Sequence, residues 1–147
     1  MEATRYVAPG SFTRRAFNPL VLFLTRHGLS LAGSRVLSVR GRTSGAWRRT
    51  AVNLLRLDGE RYLVSPRGHT QWVRNLRVSG EGTLAVGRRE EGFRATELAD
   101  AEKGPVLRAY LGKWGWEVGQ FFEGIDRRSS DEELAAVAPG FPVFRLA

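Results

Sequence analysis

Two apolar runs joined by Asp58-Gly59 constrain the fold of this 147-residue chain more than any other feature. The runs cover residues 48–57 and 60–65. The dipeptide between them suits a two-residue type I′ turn, which needs positive φ at both central positions. The pattern therefore predicts an antiparallel hairpin in the middle of the chain.

Short patterns on either side extend this hairpin into a larger β structure. A helical period follows the candidate N-cap Thr70 over residues 70–78, Asp100 is a second candidate N-cap, and Ser130-x-x-Glu133 matches a capping box. About six mostly antiparallel strands with N-terminal, central and C-terminal helices predict an α+β barrel or roll. Four further stretches have the apolar content and bounding turns of strands: residues 35–40, 82–88, 92–98 and 141–146.

The chain is expected to form one domain, because its length suits a single core and it contains no repeat or linker-like run. Within this domain, residues 1–33 are expected to form an N-terminal helical segment. Residues 34–98 would form the barrel core, and residues 99–147 a helical C-terminal part.

The N-terminal segment contains no recognisable export signal. Its longest apolar run, residues 20–24, is shorter than the roughly 7–15 residues of a signal sequence. A cytoplasmic protein is therefore expected. Arginines flank this run within residues 12–31, which predicts either a helix packed on its own domain or peripheral contact with an anionic membrane.

The formal net charge of +8 is concentrated in one part of the chain. Residues 35–77 contain ten arginines and only two acidic residues. Such an excess predicts an anionic partner, and composition leaves open nucleic acid, lipid or a phosphorylated small molecule. The guanidinium group presents a planar fork of donors that suits phosphate and carboxylate.

Most of the usual catalytic groups are missing from the sequence. The absence of cysteine excludes disulfides, thiolate nucleophiles and cysteine-ligated metals. Only His27 and His69 are present, and no hydrolase or nucleotide-binding motif occurs in a suitable context. His69 is interpreted either as a general base or as an ordinary surface residue, and the aromatic residues within 114–122 either as core or as a pocket wall. No catalytic residue and no metal ligand is predicted.

Two loops at the ends of predicted strands carry the groups that an anion would need. Residues 42–50 combine hydroxyls, arginines and a glycine, and residues 65–68 repeat this combination after the next strand. If the Asp58-Gly59 hairpin pairs in register, both loops lie at its open end and form an anion site with charge-assisted hydrogen bonds. Two arginine-rich turns in solvent are the alternative.

The same residues resemble the deazaflavin-dependent nitroreductase and quinone reductase family. These are actinobacterial split β-barrel oxidoreductases that use the 5-deazaflavin coenzyme F420 (8-hydroxy-5-deazaflavin). The resemblance implies a small split β-barrel of the α+β class. It rests on the order and spacing of three segments: Gly41-Arg42-Thr43-Ser44-Gly45-Ala46-Trp47-Arg48-Arg49-Thr50, Ser65-Pro66-Arg67-Gly68 and Trp72-Val73-Arg74-Asn75-Leu76.

The resemblance also implies a set of cofactor-binding residues. Residues 43–52 would border the deazaflavin, its phosphate and its acidic tail, residues 65–68 would form a second phosphate loop, and the short helix would close the site. The implied cofactor-binding residues are Thr43, Ser44, Arg48, Thr50, Ala51, Val52, Ser65, Pro66, Arg67, Gly68, Trp72 and Asn75.

The implied activity is hydride transfer from the reduced deazaflavin to an electron-poor small-molecule acceptor, such as a quinone, an enone or a nitro compound. The cofactor performs the chemistry, and the protein supplies orientation and electrostatics. The sequence departs from the family's pattern where Thr43 replaces a lysine and where Trp47 and Ala51 replace prolines. The loop between residues 65 and 72 is also shorter than in better-known members, which bears on whether F420 is bound.

Other ligands and functions stay open on the sequence alone. Flavin mononucleotide (FMN) ranks second to F420, and related split barrels bind haem, biliverdin or fatty acids. The alternative function is therefore a non-catalytic split-barrel binding protein for a lipid, a flavin or another cofactor. Nucleic acid is not an expected partner, because the aromatic residues that would stack on bases lie in the acidic half of the chain. A monomer and a homodimer are both compatible with the sequence.

Overall fold

The computed structural model describes residues 34–118 and 121–147 of the protein. The predicted N-terminal helical segment 1–33, including the candidate membrane contact at 12–31, lies outside the described residues. In chain order the described residues form β1 (Ser34–Arg40), β2 (Trp47–Leu57), β3 (Glu60–Val64), α1 (Gln71–Ser79), β4 (Glu81–Val86), β5 (Arg89–Glu97), α2 (Gly104–Val118), α3 (Asp131–Val137) and β6 (Val143–Leu146), with short 3₁₀ turns at Asp100–Glu102 and Ala138–Gly140.

The central hairpin forms as the sequence predicts. β2 and β3 are antiparallel, and Leu57 pairs with Glu60 across the turn. Asp58 and Gly59 have φ values of 51° and 79°, which is the positive pair that a type I′ turn requires. Both the hairpin and its turn type are confirmed.

The six strands close into a barrel in the order β1-β2-β3-β6-β5-β4, and every pairing is antiparallel. The long strand β2 belongs to both halves of the barrel, because residues 47–53 pair with β1 and residues 54–57 pair with β3. The α+β split barrel with about six mostly antiparallel strands is confirmed, together with its central and C-terminal helices.

Alternate residues of the strands face the inside of the barrel. Val73 and Leu76 of α1 are buried among them, so the helix is attached to the barrel interior by its apolar face. The interior cluster draws on all six strands and α1: Leu37, Val39, Val52, Leu54, Leu63, Val73, Leu76, Leu84, Phe93, Phe144 and Leu146.

A second apolar cluster joins α2 and α3 to the outside of the barrel. Trp114 and Phe122, whose role the sequence leaves open, are fully buried there. The Phe122 ring stacks on Phe141 with ring centroids 4.1 Å apart. These aromatic residues are therefore core. No helix within the described ranges has the length and hydrophobicity needed to cross a membrane.

The helix caps of the C-terminal part agree with the sequence in one case and differ in the other. Ser130 and Glu133 form the predicted capping box, with Ser130 Oγ accepting from the Glu133 amide at 3.1 Å. Asp100 instead begins a 3₁₀ turn, and its carboxylate pairs with Lys103 Nζ at 2.8 Å. The prediction of Asp100 as an N-cap is wrong, because its side chain binds the lysine and the α-helix begins only at Gly104.

Candidate functional site

A cleft of about 510 Å³ lies between the β1–β2 loop (residues 41–46), the start of β2 and the first turn of α1. The β3–α1 loop (residues 65–70) also reaches it through Arg67 and Thr70. The two loops singled out in the sequence thus meet at one cleft. Predicted site residues that line it are Thr43, Ser44, Arg48, Thr50, Arg67, Trp72 and Asn75.

The β1–β2 loop forms one wall of the cleft as a tight turn. The Gly45 amide donates to the Gly41 carbonyl at 2.9 Å, and the Gly41 amide donates to the Ala46 carbonyl at 2.7 Å. Gly45 has a φ of 74°, a left-handed conformation in which a side chain is disfavoured. The Ala46 amide also donates to Ser44 Oγ at 3.1 Å, so the hydroxyl of Ser44 helps to shape the loop.

Strand β2 carries cations to the mouth of the cleft. Arg48 and Thr50 share a strand face with Val52 of the barrel interior, because side chains two residues apart point the same way. Arg48 and Arg49 are exposed, and neither side chain forms a hydrogen bond or ion pair with any described residue. The described residues that line the cleft include no acidic side chain. The cleft is therefore strongly positive.

The first turn of α1 adds further donors. The first N–H groups of a helix have no partner within it, and the helix dipole favours an anion at this end. The first turn of α1 contains no acidic residue, and its N-cap Thr70 makes no side-chain capping bond. Thr70 is only 6% exposed, and its Oγ1 has no hydrogen-bond partner among the described residues. This end of the helix is therefore suited to an anionic ligand.

Asn75 reaches the cleft from the second turn of α1. It is 4% exposed, and its Oδ1 accepts from the backbone amide of Arg42 at 3.1 Å and from Arg42 Nη1 at 2.8 Å. The neighbouring Trp72 ring lies beside Phe144, with ring centroids 5.9 Å apart. α1 therefore contributes a buried amide bound to the opposite wall and one half-buried aromatic ring, and Gln71 of its first turn binds the same wall through Arg42.

The remaining predicted site residues do not line the cleft. Ala51 and Val52 are both buried, Val52 in the barrel interior, and neither they nor Pro66 line the cleft. Ser65 is 1% exposed, and its hydroxyl donates to the Gly68 carbonyl at 2.5 Å. Ser65 and Gly68 thus shape the β3–α1 loop that presents the neighbouring arginine to the cleft.

Six residues that line the cleft are not among the implied cofactor-binding residues. Arg42 and Arg49 lie within the motif of residues 41–50, so that motif already indicated that they are near the site. Thr70 was visible as a helix N-cap, but its lack of a capping partner depends on the packed structure. The lining residues that lie outside the implied cofactor-binding set are Val39, Gly41, Arg42, Arg49, Thr70 and Gln71.

His69 lies in the β3–α1 loop and does not line the cleft. Its Nε2 is 3.1 Å from the Pro139 carbonyl and its Nδ1 is 2.9 Å from Arg77 Nη1. A carbonyl only accepts, so the Nε2–H form is the one that satisfies both contacts. Partial burial, and then the charge of Arg77, lower the pKa of His69 despite the opposing effect of the Pro139 carbonyl. The ring therefore connects the loop to α1 and to the C-terminal part of the chain.

Comparisons with solved structures support the fold. A protein of unknown function from Agrobacterium tumefaciens str. C58 has a TM-score of 0.58 and 16% identity, over 95% of this chain and 58% of that one. The present chain thus spans less than two thirds of that protein's length. A domain-swapped dimer has a TM-score of 0.56 and 16% identity, over 78% of this chain and 80% of that one. The F420-H2 dependent reductase FDR-A has a TM-score of 0.52 and 15% identity, over 78% of this chain and 94% of that one.

Comparison with curated protein sequences gave no significant match. The family model described as F420H(2)-dependent quinone reductase matches residues 23–115, which is more than half of the chain and includes the whole cleft. The resemblance carried by the motifs is thereby confirmed. The chain belongs to the F420H(2)-dependent quinone reductase family.

Proposed function

We propose that the protein is an oxidoreductase that binds F420 in this cleft and reduces an electron-poor acceptor such as a quinone, an enone or a nitro compound. Family membership supports the class of reaction. The observation that carries the proposal is the pair Arg48 and Arg49. Their side chains form no hydrogen bond or ion pair with the described residues, and the described lining of the cleft contains no acidic side chain.

The described residues fit an anionic cofactor. F420 carries a phosphate and an acidic tail, and guanidinium groups bind such groups with charge-assisted hydrogen bonds. Arg48, Arg49 and Arg67 would hold them together with the first turn of α1, where no described residue bonds to the hydroxyl of Thr70. A cleft of about 510 Å³ also falls within the range of roughly 300–1,000 Å³ for ligand pockets.

When bound in its reduced form, the cofactor supplies the hydride. The protein would bind and orient the two reactants, and the proton that completes the reduction of the acceptor would come from the reduced cofactor, which loses one hydride and one proton on oxidation. Arg48 and Arg49 neutralise the anionic end of the ligand, and the Trp72 ring offers an apolar wall held in place by Phe144. The acceptor would approach the part of the ligand left uncovered by these contacts.

A fluorescence titration with F420 tests the proposal, with FMN and a single-stranded oligonucleotide as competing ligands. Arg48→Ala and Arg49→Ala should each weaken F420 binding by about 10-fold to 150-fold, because one charge-assisted bond contributes roughly 1.5–3 kcal/mol. Arg56→Ala is the matched control, since Arg56 is also exposed and unpartnered among the described residues but lies near the other end of β2.

Two further outcomes decide between functions. If F420 does not change its fluorescence while FMN or a fatty acid binds, the protein has another ligand and the proposal fails. If F420 binds but its reduced form is not oxidised by any quinone, enone or nitro acceptor tested, the non-catalytic binding protein replaces the reductase.

A further inference from the structure

Two walls of the cleft are joined by hydrogen bonds between residues far apart in the sequence. Arg42 Nη1 donates to Asn75 Oδ1 at 2.8 Å and to Gln71 Oε1 at 2.9 Å. The backbone amide of Arg42 also donates to Asn75 Oδ1 at 3.1 Å. Three bonds therefore connect the β1–β2 loop to the first two turns of α1.

The helix side of this connection is held firmly. Asn75 is buried and lies between Val73 and Leu76, which pack in the barrel interior. Gln71 is four residues before Asn75, which places both side chains on one face of the helix. Because both partners of Asn75 Oδ1 are donors, the amide oxygen has to face the loop.

Arg42 differs in this respect from Arg48 and Arg49. Its guanidinium is bound by two neutral oxygens, whereas Arg48 and Arg49 have no partner among the described residues. A side chain that is already fixed in this way has less freedom to turn toward a ligand. Its bonds instead set the distance between the β1–β2 loop and α1.

We infer that Asn75 and Arg42 are positioning residues, which hold the β1–β2 loop against α1 and thereby set the width of the anion-binding cleft. Asn75 acts through Arg42 rather than by contact with the ligand. The inference deepens the proposed function and rests on it for its effect on F420. Its structural part is independent of the ligand.

Hydrogen exchange tests the structural part without any ligand. The amide of Arg42 should be protected in the wild type, and Asn75→Ala should speed its exchange by about five-fold, since a hydrogen bond contributes roughly 1 kcal/mol. Asn75→Asp keeps an oxygen acceptor and should restore protection. Val78→Ala, at an exposed position of the same helix, should leave the Arg42 amide unchanged. Equal exchange in wild type and Asn75→Ala would overturn the inference.

A double-mutant cycle in F420 binding tests the functional part. Arg42→Ala removes the side-chain bonds but keeps the backbone amide bond, so it should weaken binding less than Asn75→Ala. The double variant should lose less affinity than the sum of the two single losses, because either change breaks the bond between Arg42 Nη1 and Asn75 Oδ1, while only Arg42→Ala breaks the bond to Gln71. Combined with Arg48→Ala, by contrast, Asn75→Ala should be additive.

The salt dependence of binding separates positioning from direct contact. Arg48→Ala should reduce the dependence of F420 affinity on ionic strength, because it removes a charge that meets the ligand. Arg42→Ala should leave most of that dependence in place. If Arg42→Ala flattens it as much as Arg48→Ala, or if the two changes in the cycle are additive, Arg42 is a direct ligand and the inference fails. If wild type does not bind F420 but the Arg42 amide is protected as described, the proposed function fails and the positioning role stands.

Discussion

Replacing Thr70 by valine should stabilise the free protein, although Thr70 occupies a helix N-cap. The side chain is 6% exposed, and its Oγ1 is buried with no hydrogen-bond partner in the part of the chain that the structure describes. Valine has nearly the same shape and lacks the hydroxyl. The backbone at this position, with φ −73° and ψ 175°, is extended and suits a β-branched residue.

Two opposing terms set the size of the effect. Burying a hydroxyl without a hydrogen bond costs about 1–3 kcal/mol, and Thr70→Val removes this cost. Loss of an N-cap usually costs about 1 kcal/mol, but Thr70 makes no side-chain capping bond that could be lost. The free energy of unfolding should therefore rise by about 1–2 kcal/mol, which raises Tm by roughly 2–6 °C in a chain of this size.

Urea and thermal unfolding of the ligand-free protein measure the effect. Thr70→Ser keeps the hydroxyl and is the matched control, so it should not gain stability. If Thr70→Val instead loses 1 kcal/mol or more, the hydroxyl is bonded in solution, most simply to an amide of the first turn of α1. In that case Thr70 is an ordinary helix cap, and the argument that it is held ready for an anion is refuted.

Two further predictions concern stability. Gly82→Ala should lower the free energy of unfolding in urea by about 1–3 kcal/mol, because an added Cβ would lie 2.7 Å from the Ser38 carbonyl oxygen. Gly92→Ala is the control, since its Cβ would meet nothing nearer than 3.9 Å. Equal losses of stability in the two variants would contradict the close contact at Gly82. Burial, followed by the charge of Arg77, lowers the pKa of His69 from 6.5 in the folded protein. As the pH falls, the unfolded chain therefore binds the proton first. The contribution of His69 to stability is complete above about pH 6.5 and is lost as the pH falls toward the folded pKa. Unfolding of wild type and His69→Gln between about pH 7.5 and 5 should show a weaker pH dependence in the variant, and parallel curves would refute the role of this ring.

The elements of the barrel could be predicted where neighbouring residues decide the conformation. The Asp58-Gly59 turn and the Ser130–Glu133 capping box are local, and both were visible in the sequence. β5 shows the limit, since it begins at Arg89, three residues earlier than the apolar pattern suggests. Its first residues are charged and exposed, and they are held in the strand by pairing with β4. Because these residues do not alternate between apolar and polar, the sequence pattern does not show that they belong to the strand.

The candidate site also has features that the sequence predicts and features that depend on tertiary packing. The sequence supplied the two loops and their arginines, and the structure brings Arg48, Thr50 and Arg67 to one cleft. It places Ser65 inside the β3–α1 loop, where its hydroxyl donates to a carbonyl of that loop. Whether a hydroxyl faces a ligand or its own backbone depends on packing around the loop, which a motif does not record.

The sequence by itself therefore determined the hairpin, the strand-rich centre, the local excess of positive charge and the family. These follow from backbone preferences of adjacent residues and from composition, which act over short distances along the chain. Only the tertiary structure decided which arginine is bound and which is not. Arg42 and Asn75 are 33 residues apart, and they meet because closure of the barrel brings α1 against the end of β1. A contact of that range depends on the whole fold, so it cannot be read from either segment alone.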